Sequence, residues 1–161
     1  MTTKSYDPIP PDFLVIGYGN ELRCDDGVGA RVAAAVAEWN LDGVRSLVCH
    51  QLTPELADPI ASARRVIFVD AAVDSSTSVQ LRSIEPVNSV QIMAHAANPR
   101  SLLGLAKQIY DRCPPAWSLT IPVEKLDYGE DLSPLAREGV QIALDKILEF
   151  VSKGEVPDSG P

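Results

Sequence analysis

Two adjacent carboxylates, Asp25 and Asp26, stand in the stretch Phe13 to Trp39, FLVIGYGNELRCDDGVGARVAAAVAEW. An apolar run precedes them and a helical stripe of Val28, Val32, Ala35, Val36 and Trp39 follows. A further carboxylate, Asp70, closes the apolar run Val66-Ile67-Phe68-Val69, and His95, one of 2 histidines, lies in a long connection ahead of a later helix. One acid of the Asp25-Asp26 pair, with Asp70 and His95, would offer an O, O, N donor set. Such a set suits a borderline divalent ion such as nickel or zinc and leaves positions open for water or substrate. One carboxylate in front of a helix is accounted for by N-capping, worth roughly 0.5 to 2 kcal/mol. The second is not, because like charges side by side cost energy unless a cation or a proton intervenes.

Other constellations carry less. Gly17-Tyr18-Gly19 opens like a dinucleotide fingerprint, but Leu22 stands where the third glycine belongs, and the next apolar run ends in Cys49-His50 without an acid for a ribose. These glycines are read as shaping a turn. Cys24, Cys49 and His50 form a rival cluster for a thiophilic metal, against the commoner outcome that such cysteines simply pack. No Ser-His-Asp or Cys-His motif stands out, so hydrolysis in this chain would rest on the acids and a metal.

The elements that must position these side chains alternate. Short apolar runs at Phe13 to Ile16, Val44 to Cys49, Val66 to Val69 and Trp117 to Val123 read as strands, and the first is of the continuous kind that a parallel sheet covers on both faces. Val79 and Leu81 alternate with polar neighbours, as on a half-exposed edge strand. A helical segment lies near Pro54 to Ala63, beginning at either Thr53-Pro54 or Asp58-Pro59. Asn98 and Pro99 start a helix whose stripe is Leu102, Leu105, Ala106, Ile109 and Cys113, halted by Pro114-Pro115. After the acidic loop EKLDYGED, Ser133 and Pro134 start the last helix, with a stripe of Val140, Ala143, Leu144, Ile147, Leu148 and Val151. The order predicts a three-layer α/β/α sandwich around a mostly parallel five-stranded sheet with right-handed crossovers, in which the edge strand near Val79 is free to run antiparallel. In such a sheet the loops after the strands hold the ligand, which places the Asp25-Asp26 pair and Asp70 on neighbouring carboxyl ends.

The 161 residues predict a single domain, with its core at about 12–153 and loose, proline- and glycine-rich tails at 1–11 and 154–161. A formal charge of -8 without a Lys/Arg cluster argues against nucleic-acid or anionic-membrane surfaces and for a neutral or basic partner. No apolar run approaches the roughly 20 residues that span a bilayer, and 3 cysteines without zinc-type spacing suit reduced thiols, so a cytoplasmic monomer is expected.

GYGNELRCDDGVG (Gly17 to Gly29), VDA at Asp70, the stretch His95 to Leu105 and YGEDLSP (Tyr128 to Pro134) resemble the hydrogenase maturation endopeptidases, which trim the large subunit of nickel-iron hydrogenases. The resemblance runs from about Phe13 to Phe150. It implies an α/β/α fold and a peptide-bond hydrolase acting on the large-subunit precursor. Three residues, falling on Asp26, Asp70 and His95, would inspect nickel that arrives within the substrate, with no tightly bound cofactor. The chain departs from the family where Asp26 replaces a frequent glutamate, and where CHQLTPELA (Cys49 to Ala57) lacks the glycine-rich stretch common after the second strand. Two alternatives stand beside this reading. One is a nickel-dependent chaperone of the same fold that binds a hydrogenase subunit without cutting it. The other is a phospho-receiver module with Lys125 as its lysine, in which the acid pair would follow the first strand more closely than it does here.

Overall fold

The computed structural model describes residues 9–74, 77–88 and 98–154. Within them the strands are β1 (Phe13–Tyr18), β2 (Val44–Cys49), β3 (Val66–Ala72), β4 (Gln80–Ile84) and β5 (Ala116–Pro122). The helices are α1 (Val28–Glu38), α2 (Ala57–Ser62), α3 (Pro99–Tyr110) and α4 (Pro134–Lys153). The strands pair in the order β2-β1-β3-β5-β4, parallel throughout except for the antiparallel β4–β5 edge.

Alternation along each central strand divides the core. Phe13 and Val15 of β1, with Ile67 and Val69 of β3, face Val28, Val32 and Val36 of α1 and Ile147 and Phe150 of α4. Leu14, Ile16, Val66 and Phe68 face the opposite way, against Ile60 of α2 and Leu102, Leu103 and Ala106 of α3. The result is the α/β/α layering expected from the alternating runs, antiparallel edge included. On the α1/α4 side, the Phe150 ring meets those of Phe13 and Trp117 edge-on, with centroids 5.1 and 4.8 Å apart.

α1 lies unusually close to β1. A Cβ on Gly17 would fall 2.0 Å from the Gly29 carbonyl oxygen and 2.6 Å from Ala33 Cβ, while one on Gly29 would fall 2.3 Å from the Val69 carbonyl oxygen. Glycine at both positions lets the backbones touch, and that contact fixes where α1 begins over the carboxyl end of the sheet.

Several details differ from the sequence reading. Asp70 lies within β3, which continues to Ala72, because residues 70–72 keep pairing with Thr120, Ile121 and Pro122 of β5. α3 ends before the prolines: Asp111 adopts a left-handed conformation, φ 54°, and its N–H closes on the Lys107 carbonyl at 2.9 Å. The buried face of α3 includes Leu103, whereas Ile109 is 58% exposed. In α4 the buried face is Ala136, Gly139, Ala143, Ile147 and Phe150, and Leu148 points outward. Small residues set this face, since a Cβ on Gly139 would sit 2.6 Å from Ile121, and a search for large apolar residues passes over them. The segment near Pro54 is a short 3-10 turn, Pro54–Leu56, running into α2.

Candidate active site

The loop from β1 to α1 begins at Gly19, whose φ of 142° is open to glycine and whose absent Cβ would meet the Asp26 carbonyl oxygen at 2.0 Å. Asn20 follows. Its side-chain Oδ1 accepts the Leu22 N–H at 3.0 Å, and its own N–H donates to Asp26 Oδ2 at 2.9 Å. The chain then makes a 3-10 turn over Cys24–Gly27 that leads directly into α1.

Neither acid caps α1, which corrects the capping explanation. The N-cap position is Gly27 and no side chain bonds there. The 3-10 turn supplies backbone partners instead: the Val28 N–H reaches the Asp25 carbonyl and the Asp26 N–H reaches the Arg23 carbonyl. The two carboxylates are thereby free to point apart. Asp25 is fully buried and accepts 4 hydrogen bonds, from the N–H groups of Glu124 (2.9 Å), Lys125 (2.9 Å) and Ser133 (2.7 Å) and from the Ser133 hydroxyl (2.6 Å). Burial works to raise its pKa, but the hydrogen bonds from Ser133, Glu124 and Lys125 outweigh it and hold the carboxyl below the ordinary range. Asp26 is half-buried, and no hydrogen bond from the described residues goes to its Oδ1.

Asp70 sits one strand over. Its backbone neighbour Ala71 donates to Oδ1 at 2.7 Å, and the side chain is half-buried. Burial raises the Asp70 pKa; hydrogen bonds from the Tyr18 hydroxyl and the Ala71 N–H act the other way, and the charge of Asp26 raises it again. The same environment pushes the Tyr18 hydroxyl far above its ordinary range, through burial first and then the Asp70 charge and hydrogen bond, which keeps it a protonated donor. Asp26 and Asp70 therefore share one electrostatic environment at the carboxyl edge, and neither has a Lys or Arg partner among the described residues. Repulsion of this kind is what a cation placed between the two carboxylates would relieve.

His95 and the neighbouring Met93 lie outside the described residues. Among the described residues no three His, Cys, Asp or Glu side chains group to hold a metal, so the Cys24, Cys49, His50 cluster does not form. Cys24 is buried, next to Gly129, and Cys49 and His50 instead line a cleft of about 530 Å³ with Asn20, Leu22, Arg31 and Glu130. Sequence reasoning missed Asn20, Tyr18 and the second role of Ser133. For Asn20 and Tyr18 the available signal was their place between the turn glycines and the acid pair.

With this geometry in place, the likeness to known proteins is specific. Three solved structures share the architecture over most of their length. The hydrogenase maturating endopeptidase HybD from E. coli is 22% identical with a TM-score of 0.67, covering 91% of this chain and 98% of its own. HybD from Thermococcus kodakarensis, a [NiFe] hydrogenase maturation protease, is 24% identical with a TM-score of 0.65, covering 86% and 97%. HycI from Thermococcus kodakarensis KOD1 is 19% identical with a TM-score of 0.68, covering 91% and 95%. This is the hydrogenase maturation endopeptidase fold. The curated relative HupD of Thiocapsa roseopersicina, a hydrogenase expression/formation protein, is 26% identical over 154 residues, covering 89% of this chain and 69% of its own. No protein-family profile matches the chain. The resemblance to hydrogenase maturation endopeptidases read from the sequence is thus borne out, and the phospho-receiver alternative is not favoured. Among the described residues no helix is long and apolar enough to cross a membrane.

Proposed function

We propose that this chain is a hydrogenase maturation endopeptidase that removes the C-terminal extension of a nickel-iron hydrogenase large-subunit precursor after nickel insertion, acting as a cytoplasmic monomer. The observation that supports it is the Asp26–Asp70 pair. These two mutually repelling carboxylates lack a cationic partner among the described residues and stand in the β1–α1 loop and in the neighbouring strand β3 of a fold shared with hydrogenase maturation proteases. His95 is assigned as the third member of the set on its place in the sequence. Nickel enters as part of the substrate. Asp26, Asp70 and His95 would hold that nickel, and the chemistry it would supply there is polarisation of the scissile carbonyl toward attack by water. In the alternative route one carboxylate of the pair takes the proton of the attacking water and returns it to the leaving amine, while nickel only anchors the precursor. Tyr18 and the Ala71 N–H hold the Asp70 carboxylate during that exchange, and the Asn20 N–H holds Asp26.

Purified protein incubated with nickel-free and nickel-loaded precursor, followed by mass spectrometry of the released peptide, tests this directly. Only the loaded form should be cut, and Asp26→Ala and His95→Ala should each abolish the cut. Equal cleavage of both forms, or full activity in either variant, refutes metal gating. Binding of the precursor without any cleavage would instead support the chaperone reading.

A further inference from the structure

Asp25 has no place in the reaction above, yet it is a fully buried carboxylate whose hydrogen bonds among the described residues all go to one distant segment, residues 124–133. The traffic between the two loops runs both ways. The Asp25 N–H donates to the Lys125 carbonyl at 2.9 Å, the Cys24 N–H to the Gly129 carbonyl at 2.8 Å, and the Gly129 N–H to the Leu22 carbonyl at 2.8 Å. Arg31 adds a bond from Nη2 to the Glu130 carbonyl. The Ser133 hydroxyl joins the pieces. It donates to Asp25 and accepts the Ala136 N–H at 3.1 Å, so the cap of α4 and the anchor of the acid pair are one group.

We propose that Asp25 is the positioning residue for Asp26, clamping the β1–α1 loop to the cap of α4 so that the Asp26 carboxylate is held toward Asp70. The physical reason lies in the peptide bond they share. With one carboxylate fixed by 4 hydrogen bonds and the loop backbone zipped on the same side, the short Asp26 side chain has little freedom left beyond its own rotamer. Its anchor on the other side, among the described residues, is the Asn20 N–H, so the Asn20–Asp26 hydrogen bond reports whether the clamp is working. The clamp also gives the YGEDLSP stretch a role. It closes the loop that carries the acids, through Gly129 and Ser133.

The inference rests on the proposed function only for its catalytic consequence, and the test separates the two. Asp25→Asn, Ser133→Ala and Ser133→Thr would be compared with Ile147→Val, a core substitution in α4 that costs stability remote from the loop, typically about 0.5 to 1.5 kcal/mol. In amide hydrogen exchange followed by NMR, the Asn20 N–H should exchange at least tenfold faster in Asp25→Asn and Ser133→Ala, stay near wild type in Ser133→Thr, and be unchanged in Ile147→Val. In cleavage of loaded precursor, the first two should lose at least tenfold in kcat with KM within threefold, and the threonine should restore it. If wild type cuts no precursor, the proposed function fails while the Asn20 measurement still decides the clamp. Unchanged Asn20 exchange in folded Asp25→Asn or Ser133→Ala overturns the inference, as does a kcat loss in Ile147→Val equal to theirs. If Asp25→Asn does not fold, the serine pair alone carries the decision.

Discussion

Replacing Gly17 by alanine tests the contact that sets α1 over the site. Gly17 pairs with Val48 of β2 and Val69 of β3, so the strand is held on both sides and cannot give way. The new Cβ would meet the Gly29 carbonyl oxygen at 2.0 Å, where anything under 3.0 Å forces a shift, so α1 must move by roughly 1 Å. A gap of that size along the buried stripe of Val28, Val32, Ala33 and Val36 forfeits a quarter to a half of its dispersion contacts. Overpacking of this kind costs about 1 to 3 kcal/mol and more when backbone is struck, so we expect about 3 kcal/mol for Gly17→Ala. With a urea slope of roughly 2 kcal/mol/M, the unfolding midpoint should fall by about 1.5 M. Gly154→Ala is the contrast: its φ is 68°, but the nearest foreign atom is Arg65 Nη1 at 3.7 Å, so only left-handed strain of roughly 1 kcal/mol applies and the midpoint should fall by about 0.5 M. Cleavage should suffer in Gly17→Ala and not in Gly154→Ala, because Asp26 stands two residues ahead of α1. A midpoint shift for Gly17→Ala no larger than for Gly154→Ala would refute the argument that backbone contact positions the helix.

Three further outcomes follow from named contacts. Phe150→Ala empties the place where Phe150 meets Phe13 and Trp117 and should cost about 3 to 5 kcal/mol in urea unfolding. The Asp25 pKa is depressed in the fold, so its stabilisation is present above the unfolded value near 3.9 and is lost as pH falls through the lower folded value; Asp25→Asn should be less stable at neutral pH and should flatten the acid limb when midpoints are measured down to about pH 2. Asp70 has the opposite sign. Its pKa is raised, so its contribution is present below about 3.9 and is lost as pH rises through the folded value, and Asp70→Asn should be more stable than wild type at neutral pH while losing precursor cleavage, the advantage vanishing in acid.

The layer order and the strand pairing class were legible because they rest on local patterns. Continuous apolar runs at 13–16 and 66–69 fit a sheet covered on both faces, and the caps Asn98 and Ser133 announce their helices by residue type alone; both side chains accept the expected N–H, from Arg100 at 2.8 Å and Ala136 at 3.1 Å. The acid pair stood out in the sequence because one cap cannot account for two carboxylates, but neither acid caps α1. What each acid does was not legible there. Asp25 and Asp26 are chemically the same side chain one residue apart, and only the folded loop turns one into a buried anchor against residues 124–133, about 100 positions away, and leaves the other beside Asp70. Likewise the buried face of α4 was decided by how closely Gly139 approaches Ile121, a distance that no periodicity in the helix encodes. Local pattern determines which elements form, because hydrogen bonding and apolar spacing act over a few residues. Which of two identical groups faces solvent, ligand or core is decided by contacts between segments far apart in the chain, and those exist only once the sheet has assembled.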